Sequence, residues 1–310
     1  MRFTSLVTRR TLGAFALPVT LLTGCLEEVI EVVADAPVAV VSTGLMTPES
    51  VLWDATRNVW YVSNINGADG KDDNGYIVRL GPDGAAMDTV PFINGADDDI
   101  TLNDPKGMAI VGDTLYVADI DAVRTFNLAT GTQLASIEMG EMGATFLNDV
   151  AAGDLGVVYI TDSGISFDST GAVVHPGKSR VFMLVAGEAS EAVVLPAESA
   201  VNGIAWDAAR GAWLLVGSNS PNIFAWTPGA DSVDVLGTGP GGGDGIVMLA
   251  DGRALYSSWA DSSLTTFVNG ASTTLRKGLP APADLGYDAA RGIVAVPLFQ
   301  DNRVELWRVK

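Results

Sequence analysis

The sequence contains very few of the residues that form disulfides or histidine-based sites. Its 310 residues include one cysteine, Cys25, and one histidine, His175. A single cysteine cannot form an internal disulfide, so the stability of the chain must come from core packing or from a bound ion. A single histidine cannot form a catalytic pair, and we expect His175 to be a loop residue.

Basic residues are also scarce. The chain has 18 Lys and Arg against 37 Asp and Glu, which gives a formal net charge of -19. No basic stripe offsets this charge, which argues against nucleic acid and an anionic membrane surface as binding partners. We interpret the acidic residues as a solvated surface and expect the protein to be a monomer.

The N-terminal segment lacks an apolar run long enough for a permanent transmembrane helix. The run 11–22 has about a dozen residues, whereas a span needs about 20. It follows Arg2, Arg9 and Arg10 and ends at Leu-Thr-Gly-Cys25, which resembles the lipobox of bacterial lipoproteins.

This resemblance predicts an exported, lipid-anchored protein. Residues 1–24 would be a cleaved signal peptide, Cys25 the acylated mature N-terminus, and residues 25–36 a tether to a bacterial membrane. The rest of the chain would face the periplasm or the cell exterior. Residues 8–12 (TRRTL) also resemble a twin-arginine signal, so the general and the twin-arginine export routes both remain open.

The remaining chain repeats one phrase six times. Each copy is a short apolar strand, a turn containing Asp, Gly or Asn, and a second strand rich in Val, Tyr, Trp and Leu. The copies begin at Pro48, Asp104, Leu147, Val201, Gly243 and Pro282. Repeats of about 40 to 57 residues made only of short strands are typical of a β-propeller, in which each repeat is one four-stranded blade.

We therefore predict an all-β protein: a six-bladed β-propeller of four-stranded antiparallel blades over residues 37–310. No segment after the signal shows the caps and the 3.6-residue period of a helix. A third strand follows in every repeat, and fourth strands are predicted near 87–93, 132–138, 191–196, 232–237 and 271–276. The sixth repeat lacks a fourth strand, and residues 37–43 have strand composition. We expect this run to pair with the sixth blade and close the ring, which removes exposed sheet edges.

One position of the repeat varies in a way that indicates a metal site. Alignment of the six copies makes these residues equivalent: Glu49, Lys106, Asn148, Asn202, Asp244 and Ala283. In a propeller, the residue just before the innermost strand of each blade faces the mouth of the central channel. These six residues should therefore converge on one axis.

Glu49 and Asp244 would then share a narrow space. At a separation of about 5 Å and an effective dielectric constant of about 20, their repulsion is on the order of 3 kcal/mol, so the pair requires a cation or a raised pKa. Asn148 and Asn202 add neutral carbonyl oxygens. This all-oxygen set suits Ca²⁺ first, with Mg²⁺ or Mn²⁺ as alternatives, and suits zinc and copper poorly because they favour nitrogen and sulfur.

The same motifs resemble a known family. Pro-Glu49-Ser, Leu-Asn148-Asp, Val-Asn202-Gly and Gly-Asp244-Gly are similar to motifs of the calcium-dependent six-bladed propellers, which include the senescence-marker-protein and gluconolactonase group, the paraoxonases and diisopropylfluorophosphatase. The resemblance covers residues 37–310. It implies that these four residues hold a catalytic divalent ion and that Asp244 or Glu49 acts as general base or nucleophile on a lactone or ester.

Lys106 and Asn103 are candidate substrate contacts. The sugar-lactonase branch of this family tends to place Arg or Asn near this position, which implies that Lys106 holds a substrate carboxylate or stabilises an oxyanion. Alternatively, Lys106 is a rim cation that neutralises Asp104. Asp149 matches the position of a second, structural calcium in the paraoxonases, but Ser50 replaces the acid that completes that site, so we expect no second ion.

Two functions remain open at this point. One is an exported, metal-dependent hydrolase of a small lactone or ester. The other is a non-enzymatic propeller that binds a protein or small ligand on its top face, similar to the NHL type, whose Pro-x-Gly-Ile-Ala phrase resembles Asp104-Pro-Lys-Gly-Met-Ala109. Asn-Gly and Asp-Gly are ordinary turn dipeptides, so residues 202–203 and 244–245 fit both functions.

Overall fold

Each repeat folds into a four-stranded antiparallel blade, and the six blades form a ring. The structure is a computed structural model that describes residues 36–67 and 70–309. It confirms the predicted six-bladed β-propeller. Within the described ranges there is no α-helix, and no helix is long and apolar enough to cross a membrane.

The inner half of each blade consists of the repeated phrase. The innermost strands of blades one to six are β2 (Pro48–Asp54), β6 (Pro105–Val111), β10 (Leu147–Ala152), β16 (Val201–Asp207), β20 (Gly243–Met248) and β24 (Gly286–Asp288). The second strands are β3 (Val59–Asn64), β7 (Thr114–Asp119), β11 (Val158–Asp162), β17 (Ala212–Gly217), β21 (Ala254–Ser258) and β25 (Ile293–Leu298).

The outer half completes each blade. The third strands are β4 (Tyr76–Leu80), β8 (Ala122–Asn127), β14 (Arg180–Val185), β18 (Ser220–Trp226), β22 (Ser263–Val268) and β26 (Arg303–Arg308). The fourth strands are β5 (Ile93–Asn94), β9 (Gln133–Glu138), β15 (Glu188–Val194), β19 (Asp234–Thr238), β23 (Ala271–Lys277) and, in the sixth blade, β1 (Ala39–Val41). Short 3-10 turns occupy Gly140–Met142, Asp154–Gly156, Ala197–Ser199 and Phe299–Asp301.

The turn between the first two strands has the same chemistry in blades one, four and six. The side chains of Asp54, Asp207 and Asp288 each accept hydrogen bonds from the backbone N–H groups two and three residues further on. The residue just before the second strand then has a positive φ, 59° at Asn58 and 63° at Gly211. Asn and Gly tolerate this backbone, which explains their place in the repeat.

The apolar core is divided among the blade contacts. Each of six clusters of buried side chains lies between two neighbouring blades. Between the first and sixth blades, for example, Trp60 and Val62 pack with Ala295 and Leu306. The innermost strands of neighbouring blades also contact each other around the channel.

The ring closes as predicted. β1 pairs with β26, with Val41 opposite Val304. Near the channel, the N–H of Asp284 donates to the carbonyl of Glu49, and the N–H of Val51 donates to the carbonyl of Asp284. The first and sixth blades are thus joined at both their inner and outer edges.

The outer strand of the first blade corrects the prediction. We predicted a strand over 87–93, but only Ile93–Asn94 pair with β4, and most of the predicted segment is irregular. Pro91 lies in the middle of the segment and has no N–H to donate to a ladder. In the third blade, β12 (Ser166–Phe167) and β13 (Val173–Val174) form a two-stranded ribbon inserted between β11 and β14.

Removal of the closing strand should destabilise the whole ring. We expect a chain lacking residues 1–45 to be less stable than one lacking residues 1–36 by about 3 kcal/mol or more, because β1 and the buried side chains of Val41 and Leu45 are lost. Thermal unfolding measures the difference, and size-exclusion chromatography should show association through the exposed edge of β26. Equal melting temperatures for the two truncations would contradict this role of β1.

Candidate active site and metal centre

The predicted ligands lie where the innermost strands begin. Glu49, Asn148, Asn202 and Asp244 are each the second residue of an innermost strand, in blades one, three, four and five. The pairing register shifts at this point in each of those strands, as it does in β6. A bulge at a strand end redirects side chains. The structure thus brings all four residues to the wall of one cavity of about 300 Å³.

The four side chains share unpaired oxygen atoms. Their exposed fractions lie between 4% and 7%. Glu49 Oε2, Asn148 Oδ1, Asn202 Oδ1 and Asp244 Oδ1 are buried and have no hydrogen-bond partner. Buried polar atoms in proteins nearly always have one. Four unsatisfied acceptors around one cavity therefore fit a cation.

The chemistry of this set restricts the choice of ion. Within residues 36–67 and 70–309, no group of three or more His, Cys, Asp or Glu side chains is placed to hold a metal. A metal here would need the two amide oxygens together with the two carboxylates. Such a set fits a hard cation such as Ca²⁺ and offers no nitrogen or sulfur to zinc.

Burial and mutual repulsion disfavour the charged forms of the Glu49 and Asp244 carboxyls. Burial raises the pKa of Glu49 well above its ordinary value, and the nearby charge of Asp244 raises it further. Burial and the charge of Asp284 likewise raise the pKa of Asp244. The ammonium group of Lys106 opposes both shifts. Each carboxyl therefore retains its proton to a higher pH unless a cation enters.

Lys106 contributes a positive charge to the same cavity. It is the second residue of β6, lines the cavity and is 2% exposed. Its Nζ lies 4.4 Å from the centroid of the Phe146 ring and 3.4 Å from the carbonyl oxygen of Asp104. This burial places Lys106 inside the cavity wall and not at an exposed rim. A substrate in the cavity would meet its ammonium group.

Asn103 does not line the cavity. Its Oδ1 accepts a hydrogen bond from the N–H of Asp73, and its Nδ2 donates to Asp119. These bonds hold the loop 70–75 against the second blade. The position of Asn103 therefore gives no support to its predicted contact with substrate.

Two further predictions involve residues away from this cavity. His175 is exposed and follows β13, in agreement with a loop residue. Cys25, with the predicted signal peptide and most of the tether, lies outside the described residues.

A buried acid of the sixth blade escaped the sequence analysis. Asp284 follows Ala283, and its Oδ2 accepts a hydrogen bond of 2.5 Å from Ser50 Oγ. Burial raises its pKa to about 7, although the bond from Ser50 lowers it. With Asp149, whose oxygens accept the N–H groups of Val150 and Ile204, it lines a second cavity of about 300 Å³. The signal was present in the repeat as an Asp immediately after the aligned position.

The apolar walls of the candidate site were also missed. They consist of Ile65, Phe146, Ile165, Phe167, Val173, Trp259 and Phe299. Trp259 and Phe299 pack with ring centroids 5.5 Å apart, and Phe146 and Phe167 at 5.8 Å. Most of these residues follow a second strand or belong to the inserted ribbon. Large apolar residues at strand ends, where polar turns are expected, were the available signal.

Comparison with known proteins shows the fold. No protein-family model and no curated protein matches the sequence. A gluconolactonase from Xanthomonas campestris superposes with a TM-score of 0.62 at 16% identity, covering 85% of this chain and 86% of that chain. A luciferin-regenerating enzyme gives 0.61 at 13% identity, covering 88% and 95%. A chain of a nidogen–laminin complex gives 0.56 at 15% identity, covering 84% and 83%. At such identities the likeness establishes a shared propeller fold.

The raised pKa of Glu49 predicts a pH-dependent stability of the metal-free protein. Its folded-state pKa lies above the unfolded value, so the folded chain binds more protons and stability falls as pH rises above about 5. The Glu49→Gln protein should show a smaller slope, because the raised pKa values of Asp244 and Asp284 also contribute to it, and should be more stable than the parent protein at pH 8 in chelator. Urea unfolding at several pH values measures the difference. Glu141→Gln, at an exposed acid, should behave like the parent; an equal slope in Glu49→Gln would contradict the assignment.

Proposed function

We propose that the chain is an exported, lipid-anchored and divalent-metal-dependent hydrolase of lactones or esters, with its site at the channel mouth. One observation carries this proposal. Four buried oxygen acceptors without partners and one buried ammonium group face the same cavity. The gluconolactonase among the structural neighbours supports the reaction class at the level of fold.

Glu49, Asn148, Asn202 and Asp244 would hold the metal, with Ca²⁺ as the first choice. When bound, such an ion neutralises the two carboxylates and acts as a Lewis acid towards a carbonyl oxygen. The unpaired amide oxygens supply ligands without adding negative charge. This division explains why the repeat carries acids in only two of its four ligand positions.

The remaining chemistry belongs to the side chains. Asp244 or Glu49, partly freed from the metal, is suited to take the proton of an attacking water or to attack directly. The negative charge that develops on the substrate oxygen requires a positive partner. Lys106 faces the same cavity and can stabilise that oxyanion, or hold a substrate carboxylate.

The walls of the cavity favour a substrate with an apolar part. Phe146, Phe167, Trp259 and Phe299 line the same cavity as the charged groups. Apolar surface removed from water at these walls would contribute to binding. A polyhydroxylated lactone would find few hydrogen-bond partners there. We therefore include in the proposal a lactone or ester with an acyl or aromatic substituent.

The predicted location outside the cytoplasm completes the proposal. The lipobox-like sequence at Cys25 supports lipid attachment, and residues 25–36 would link the anchor to β1. Labelling of cells with a radioactive fatty acid tests the assignment, with Cys25→Ser as the variant expected to lose the label.

Metal removal tests the proposed enzyme. Hydrolysis of a lactone should disappear in chelator and return with Ca²⁺, and Glu49→Gln and Asp244→Asn should each lower kcat/KM by at least about 100-fold. Calorimetric titration with Ca²⁺ checks metal binding independently of turnover. Glu141→Gln provides the matched control. A folded protein that neither binds metal nor turns over any lactone would instead support the non-enzymatic propeller.

Phe167 should influence substrate choice. Replacing Phe167 by Ala removes part of the apolar wall, and we expect KM for a lactone with a long acyl substituent to rise about 10-fold while kcat stays the same. An unsubstituted lactone should show unchanged constants, and Phe167→Leu should behave like the parent protein. Steady-state kinetics with both substrates measures the two KM values. An equal change in both would contradict a role of Phe167 in substrate choice.

A further inference from the structure

A third cavity lies between the third and fourth blades. It has a volume of about 370 Å³ and is lined by the rings of Tyr159, Trp206 and Trp213, with Asp154 and Pro228 beside them. Trp206 is 40% exposed, which is unusual for so large an apolar side chain.

This cavity lies on the face opposite the candidate active site. β10 and β16 begin beside Asn148 and Asn202, and their far ends, at Ala152 and Trp206, line the third cavity. The two cavities share no lining residue. Binding at the third cavity would therefore be independent of the proposed hydrolase.

The first blade contains the same aromatic pair, with an arginine side chain packed against it. Trp53 and Trp60 occupy the repeat positions of Trp206 and Trp213, and each pair is in register across its first two strands. The ring centroids are 4.5 Å apart in the first blade and 5.2 Å in the fourth. In the first blade, the guanidinium carbon of Arg291 lies 4.6 Å from the centroid of the Trp53 ring.

Two nitrogen atoms of the Arg291 guanidinium also donate hydrogen bonds. Its Nε donates to Asp288, and its Nη1 donates to the carbonyl oxygen of Pro82 at 2.5 Å. Arg291 belongs to the sixth blade, the neighbour that precedes the first blade in the ring. The protein thus holds one guanidinium between an indole pair, a carboxylate and a proline carbonyl.

The cavity at the fourth blade offers the same groups, but no arginine is among the residues that line it. Pro228 corresponds to Pro82. Trp213 pairs with Trp226, Trp60 pairs with Leu80, and each proline lies two residues after that partner. In the preceding blade, the turn Asp154–Gly156 has the sequence Asp-Leu-Gly. Its Asp154 supplies a carboxylate. Among the described residues, none that lines this cavity is basic. Tyr159 adds a third ring, 4.9 Å from Trp213.

We propose that this cavity binds a guanidinium group supplied by another molecule. The faces of the indole rings attract a cation, and the planar guanidinium stacks on them. Asp154 would pair with its N–H groups, and the carbonyl of Pro228 would accept another. An ammonium group fits less well because it has no planar surface to stack on Trp206. The net charge of -19 also attracts cations to this protein.

Titration with N-acetylargininamide tests the proposal on the purified full chain. We expect saturable binding by calorimetry, with shifts of the indole N–H signals of Trp206 and Trp213 in NMR spectra. The citrulline analogue, which is neutral and of equal shape, should not bind, and the lysine analogue should bind at least five-fold more weakly. Equal binding of the citrulline analogue, or no saturable binding of the arginine compound, would overturn the proposal.

Variants locate the binding. Asp154→Asn and Trp206→Ala should each weaken binding at least ten-fold, whereas Asp98→Asn, which makes the same change in net charge at an exposed site, should not. Near-ultraviolet circular dichroism checks that each variant is folded. If Trp206→Ala does not fold, the binding measured with Asp154→Asn decides the test. Unchanged binding in Asp154→Asn would overturn the proposed site.

A peptide distinguishes the two sources of the guanidinium. If Ala-Ala-Arg-Ala-Ala binds at least as tightly as N-acetylargininamide, the cavity takes an arginine of a polypeptide partner. If the peptide is excluded while the small compound binds, the ligand is a small guanidino compound. Both results support the guanidinium site.

Discussion

The closed ring is the constraint on which the structure depends. Because β1 joins β26 and the innermost strands contact one another, the first residues of those strands must meet around one axis. The register shifts at the strand starts then direct Glu49, Asn148, Asn202 and Asp244 towards the same cavity. One buried oxygen of each of these side chains has no hydrogen-bond partner among the described residues. Their burial costs free energy that packing between the blades must offset.

This cost explains the arrangement of charge along the channel. Lys106 lies near Glu49 and Asp244 and lowers the pKa of both, but burial outweighs its effect. On the other side, Asp284 accepts from Ser50, and Asp149 accepts from backbone N–H groups. Asp284 and Asp149 thus join neighbouring blades, whereas Glu49 and Asp244 each present an unpartnered oxygen to the cavity. That division separates the residues that hold the ring from those available for chemistry.

The sequence predicted what local repetition controls. The strand pairs and the turn at Asp54 follow from patterns within each repeat. The closing strand follows from the missing fourth strand of the sixth repeat, and the convergence of Glu49 with Asp244 follows from the ring. The apolar walls did not follow, because Trp259 and Phe299 reach the cavity by loop paths that only tertiary packing determines. Asp284 was missed because the position after the aligned one was considered only in the first and third blades, at Ser50 and Asp149. The same repetition relates Arg291 to the fourth blade. That blade has an equivalent indole pair, but no basic residue lines the cavity beside it.

A crystal structure of the protein grown with Ca²⁺ tests the central claim most directly. The account predicts a single calcium ion in the channel mouth, at about 2.3–2.6 Å from oxygens of Glu49, Asn148, Asn202 and Asp244. The contradicting result is a cavity without calcium in which the ammonium of Lys106 bridges the two carboxylates, because the lysine would then be the cation that the buried oxygens require.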